Sequence, residues 1–234
     1  MRTFLLAFMA AAACAAPAGA ATRNFGVENF TKIRVDGPFK VRLTTGVPPF
    51  ARATGSNAAL DRVAVDVQGD TLVVHNNLDS WGTDSATNAG PVEISIGTHD
   101  LSAAWLNGSG ALSIDKVKGL SFSLSVQGSG AGEIRQVDVD QLAVAVVGTA
   151  SASLTGNAAK LTAAVRGIST LQAAGLATKD ATIGADGSVT VDANVDNSAK
   201  LSASGPATIR LSGDPACTVR ASASASISGC KSTQ

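Results

Sequence analysis

The chain has 234 residues, 18 basic against 18 acidic side chains, a pI near 6.7 and three cysteines. Charge so balanced creates no field that would seek a polyanion, which argues against nucleic acid as a partner. Seven Phe, two Trp and no Tyr, set against 24 Gly, exclude a core built on aromatic bulk and suit stacked small aliphatic side chains.

The N-terminus has the layout of an export signal. Met1-Arg2 supplies a minimal positive region, Phe4 to Ala13 an apolar stretch of about ten residues, and Ala18-Gly19-Ala20 a small-residue cleavage site. Residues 1–20 therefore read as a signal peptide, and residues 21–234 as one exported domain, periplasmic or on the cell surface. The apolar run is shorter than the roughly 20 residues that a membrane-spanning helix needs, so no transmembrane span is expected after cleavage. Cys14 offers the alternative of a lipoprotein acceptor, but position 11, where a leucine is usual, holds Ala11.

Residues 25–106 read as N-terminal rungs. Strands are expected over Phe30–Val35, Phe39–Thr44, Val63–Val67, Thr71–His75, Val92–Ile96 and Leu101–Leu106, because apolar residues alternate in Ile33/Val35, Val41/Leu43, Val63/Val65/Val67 and Leu72/Val74. The stretch 76–90 is the one long loop, rich in Asn, Asp, Ser, Thr and Gly. Within it Asp79, Trp81 and Asp84 form a candidate contact for calcium or a sugar, although the Asp-x-Asp-x-Asp spacing of a calcium loop is missing. His75 and His99 have no identifiable Ser or Cys partner, which speaks against a catalytic role.

From residue 107 the chain repeats. Gly108, Gly128, Gly148, Gly167, Gly187 and Gly205 each centre a short turn, at steps of 20, 20, 19, 20 and 18 residues, and a period of this size signals a solenoid. The glycines are read as structural corners requiring positive φ. Two strands per repeat are expected, with Leu112, Ile114, Phe122, Leu124, Val126, Leu142, Val144, Val146, Leu161, Ala163 and Val165 as inward rows. One such unit cannot bury its apolar side, whereas copies stacked at roughly 4.8 Å share ladder hydrogen bonds and a continuous core. The fold class is thus all-β, a β-solenoid with rungs of about 20 residues; a β-sandwich is the alternative.

Three groups of residues in this half are candidate sites. Lys116, Lys118, Lys160, Lys179 and Lys200 recur before the second strand of successive repeats and would form a polyanion-binding column along one corner, or merely solvated charge. Asp138 and Asp140 are the close carboxylate pair of the repeat. Cys217 and Cys230, in a chain that has crossed a membrane, are expected to form a disulfide that folds the last strand back as a lid. No metal site and no cofactor are expected, since two thiols without a nearby His fall short of four-ligand zinc.

The segment Asn29-Phe30-Thr31-Lys32-Ile33-Arg34-Val35-Asp36-Gly37-Pro38-Phe39-Lys40-Val41, the segment Val65 to Val74, the Gly-Ser-Gly turns and the terminal cysteine pair together resemble the head GIN domain family of autotransporter-adhesin-like proteins. The resemblance covers nearly all of the chain after the signal. It implies a right-handed parallel β-helix and a bacterial envelope location, with no established catalytic residues to carry over. Up to Gln234 the sequence shows no translocator barrel or wall-anchoring signal, so the autotransporter part of the description is not expected to apply.

Three function classes follow. A non-catalytic surface or periplasmic binding, adhesion-type or structural module would present its Ser-, Thr- and Ala-rich faces to a surface glycan or envelope component. A polysaccharide lyase or hydrolase would depend on Asp138 and Asp140. Ice binding is suggested by the alternation of Ser222, Ser224, Ser226 and Ser228, but regular Thr-x-Thr rows are missing. Nothing in the sequence specifies an oligomeric state.

Overall fold

A computed structural model describes residues 20–77, 90–222 and 224–231. The expected signal peptide but for Ala20, with Cys14, and the loop residues Asp79, Trp81 and Asp84 lie outside the described residues. In chain order the elements are β1 (Ala21–Phe25), β2 (Lys32–Asp36), β3 (Lys40–Thr45), β4 (Phe50–Gly55), α1 (Asn57–Leu60), β5 (Val63–Gln68), β6 (Thr71–Asn76), β7 (Glu93–Thr98) and β8 (Ala103–Gly108). Then follow β9 (Ala111–Gly128), β10 (Ala131–Gly148), β11 (Ser151–Gly167), β12 (Thr170–Gly187), β13 (Thr190–Ser204), β14 (Thr208–Ser212), β15 (Ala216–Ala221) and β16 (Ser226–Ser228).

The chain is a β-solenoid of about six turns. From β9 to β13 each strand is a whole rung, paired in parallel with the rungs before and after it. Pairing of this kind rules out the β-sandwich alternative, whose consecutive strands would run antiparallel. Identical or similar apolar residues stack through the register: Leu124, Val144, Ala163, Ile183 and Leu201 form one inward row. Every residue expected to point inward is buried.

The expectation of two strands per repeat needs correction. Between the two flat sides lies a third, over 115–120 in β9, which contributes its own inward rows: Val117, Val137 and Leu176, and beside them Val139, Ala158, Thr178 and Val195. Register shifts fall on or next to this side, between Ile134 and Val137, Ser153 and Thr155, Ala173 and Ala177, and Thr178 and Asp180. It absorbs the one- and two-residue differences in rung length, so the flat sides stay aligned.

The corner glycines lie one above another, each with φ between 77° and 110°. Gly37 continues their line below Gly108.

Stack order departs from chain order at the N-terminal end. Strands β2 and β3 form one rung, yet the rung beneath them is β6 and β7, which come later in sequence. The chain then climbs past the first rung to β8 and β9, which pair β2 and β3 from above. This passage is pinned by Thr98 Oγ1 donating to the Phe30 carbonyl (2.7 Å) and by the Ser102 amide donating to the Thr31 carbonyl (2.7 Å). Antiparallel strands finish the end, β4 on β7, β1 on β4 and β5 on β6. Residues 25–106 thus make a folded-back cap around two rungs rather than a plain succession.

At the other end β14 and β15 make the last full rung, and β16 lays three more residues on β14. The Cys217–Cys230 disulfide, with Cα atoms 5.6 Å apart, ties the residues after β16 to the start of β15. Both cysteines and Ile227 pack against the core.

Candidate functional site

Side chains that leave the core do so in columns, because parallel in-register rungs repeat each outward position. On the side formed by the starts of β9 to β12, together with β3, this produces a shallow trough of about 600 Å³ crossing five rungs. Lys40 and Arg42 lie at its β3 end, Glu133 and Arg135 in the middle, and Thr170 and Gln172 on β12. Glu133 is held from two directions, by Ser113 Oγ at 3.0 Å and Arg135 Nε at 3.4 Å. Ser151 and Thr170, which line the trough, begin an unbroken hydroxyl column that continues through Thr190, Thr208 and Ser226. Of these positions sequence reasoning singled out only Ser226, as one of the alternating serines of the last strands. The signal was present in the strand phase, since residues flanking an inward Leu112 or Leu171 must face out.

A second groove, of about 520 Å³, lies on the third side. It collects Lys118, Asp138, Asp140, Asn157, Lys179 and Asp196 around an exposed Leu120. Asp138 and Asp140 emerge on either side of the buried Val139, and Asp138 stacks on Lys118 in register. Among the described residues no group of three or more His, Cys, Asp or Glu is placed to hold a metal ion.

The five lysines do not share a column. Lys116 is opposite Gln136 and Lys118 opposite Asp138; Lys160 stacks between Gln141 and Asp180, and Lys200 between Thr182 and Thr218. Lys179 immediately precedes Asp180 and lines the third-side groove instead. Their similar spacing in sequence is undone by the unequal length of the third side. Asp180 accepts from Ser198 Oγ (2.5 Å) and Asn197 Nδ2 (2.8 Å), and these bonds hold its carboxyl below the usual range.

His75 has a structural partner. Its Nε2 is 2.8 Å from Asp66 Oδ2 across the β5–β6 pair, and the Asp66 hydrogen bond raises the imidazole pKa. The carbonyl of His99 accepts from the Gly46 amide at 2.9 Å, a contact of the backbone alone. No helix among the described residues is long and apolar enough to cross a membrane.

Parallel rungs, a folded-back N-terminal cap, a disulfide at the other end and shallow outward troughs define a capped β-solenoid. The family described as "Putative auto-transporter adhesin, head GIN domain" matches residues 29–215, and the chain belongs to that family. Among solved structures, a putative adhesin from Bacteroides fragilis superposes with a TM-score of 0.78 at 18% identity, covering 89% of this chain and 95% of the other. A putative lipid binding protein from Parabacteroides distasonis gives a TM-score of 0.64 at 18% identity, covering 90% and 96%. A putative adhesin from Parabacteroides merdae gives 0.63 at 16%, covering 90% and 96%. At these identities the likeness shows a shared fold. No curated protein matches the chain.

Proposed function

We propose that the protein is an exported, non-catalytic binding module of the bacterial envelope that engages an extended polymer. The observation that carries this reading is the trough across five rungs, from Lys40 and Arg42 to Thr170 and Gln172. At roughly 4.8 Å per rung it is long, open and shallow. Those proportions suit a linear chain laid along the solenoid axis better than an enclosed small molecule. The disulfide supports export, because such bonds persist in oxidising compartments. Two structural neighbours described as putative adhesins are in keeping with the same role.

The test is co-sedimentation of the mature protein with purified sacculi and with outer-membrane fractions. Wild type should pellet with one of them, and Arg42→Ala with Arg135→Ala should remain in the supernatant while keeping the wild-type melting temperature. Failure of the wild type to pellet with either fraction would overturn the reading.

The third-side groove supports a second reading, a polysaccharide lyase or hydrolase, because it sets Asp138 and Asp140 beside Lys118 and Lys179. Turnover of pectate or alginate that is lost in Asp138→Asn would establish it.

A further inference from the structure

We infer that Trp105, with Arg34, Asn107 and Gln127 around it, forms a platform for one neutral pyranose unit of a glycan. The inference rests on reading the protein as a binding module, but concerns a different face from the trough. In β8 the residues Ala104 and Leu106 are fully buried, so alternation sends Trp105 outward, between Arg34 on the rung below and Ser125 on the rung above. The same outward column continues through Ala145, Ala164, Gly184 and Ser202. Trp105 is half-buried, and above it that column carries only small residues as far as Ser202. Core packing does not account for it, since among the described residues the buried hydrophobic core is built of Leu, Ile, Val, Ala and Phe without Trp.

The neighbouring polar groups are planar and already braced. Arg34 Nε donates to Asp36 Oδ2 at 2.8 Å, Asn107 Nδ2 donates to Asp36 Oδ1 at 2.7 Å, and Gln127 Nε2 donates to Ser125 Oγ at 3.3 Å. Bracing in this way leaves each amide its carbonyl oxygen as an acceptor, and Arg34 its terminal N–H donors. A π face with fixed amide and guanidinium groups beside it matches a pyranose, which offers C–H bonds on one face and hydroxyls at its edge. Charges near the platform are paired, Arg34 with Asp36, Lys32 with Asp70 at 3.0 Å and His75 with Asp66 at 2.8 Å. That pairing favours an uncharged sugar over an acidic one.

The experiment titrates the mature protein with cellohexaose, maltohexaose and chitohexaose, following tryptophan fluorescence and heat. At least one oligosaccharide should give a saturable signal, and Trp105→Ala should weaken it about tenfold or more, with Trp105→Phe intermediate. Gln127→Ala should weaken it without altering the melting temperature, which separates loss of a contact from loss of the fold. Two outcomes overturn the platform: no saturable response to any of the three sugars, or unchanged affinity in Trp105→Ala. Because the trough is assayed by co-sedimentation, a wild type that pellets with envelope material but ignores the oligosaccharides sinks the platform and leaves the binding-module reading standing.

Discussion

Gly128 sits so close above Gly108 that a Cβ on Gly128 would lie 2.6 Å from the Gly108 carbonyl oxygen, and its φ is 104°. Two independent constraints therefore meet at one residue, left-handed backbone and no room against the neighbouring rung. Gly128→Val should destabilise the protein by at least the roughly 1–3 kcal/mol of such backbone strain. Ser123→Thr, an outward change in the same rung, should leave the melting temperature nearly unchanged. Parallel thermal melts decide the matter, and equal midpoints for the two variants would contradict it.

Cys217 and Cys230 close the C-terminal rung, where Val219 is 46% exposed although its register partner Leu201 is buried. Removing both thiols with Cys217→Ser and Cys230→Ser should cost roughly 3 kcal/mol in the chain-entropy view. It should also increase concentration-dependent association, because an unfinished solenoid end exposes strand edges. Far-ultraviolet circular dichroism should stay the same. In unreduced protein treated with iodoacetamide, mass spectrometry should find neither cysteine alkylated.

The raised pKa of His75 makes the N-terminal cap sensitive to pH. Its charged form is favoured in the folded state, so the stabilisation is fully present below the unfolded value, near 6.5, and is lost as pH rises through the higher folded value. The melting temperature should fall across that window and the fall should vanish in His75→Gln. An imidazole titration by NMR that gives an unshifted or lowered value would contradict the assignment.

Leu142 is fully buried in the middle of the stack, between Phe122 and Leu161. Leu142→Ala should cost about 2–5 kcal/mol. In a solenoid the loss propagates to neighbouring rungs, so hydrogen exchange should accelerate first in β9, β10 and β11. Uniform acceleration from β2 to β15 would show instead that the stack opens as a single unit.

The lysines supply a prediction of the opposite sense. Since Lys160 and Lys200 face different neighbours on different columns, the protein should pass through an immobilised polyanion at low salt. Retention that is lost in Lys160→Gln with Lys179→Gln and Lys200→Gln would restore a basic stripe.

What could be read from the sequence was whatever repeats locally. Glycine turns at steps near 20 residues announced the rungs, and apolar alternation such as Leu142, Val144 and Val146 marked the inward face, because strand phase is a property of adjacent residues. The disulfide was legible too, since the expected export signal takes Cys14 with it and leaves Cys217 and Cys230 one pairing, which the structure contains. Tertiary structure alone decided the rest. Lys116, Lys118, Lys160, Lys179 and Lys200 look periodic in sequence, but register depends on how many residues each rung spends on its third side, and that number varies. The burial of β6 and β7 beneath β2 and β3 was equally hidden, because pairing between strands so far apart depends on which edge remains open when the cap folds. The trough at Arg42 and Glu133 and the platform at Trp105 arise in the same way, from side chains on separate rungs that become neighbours only when the parallel ladder sets them one above another.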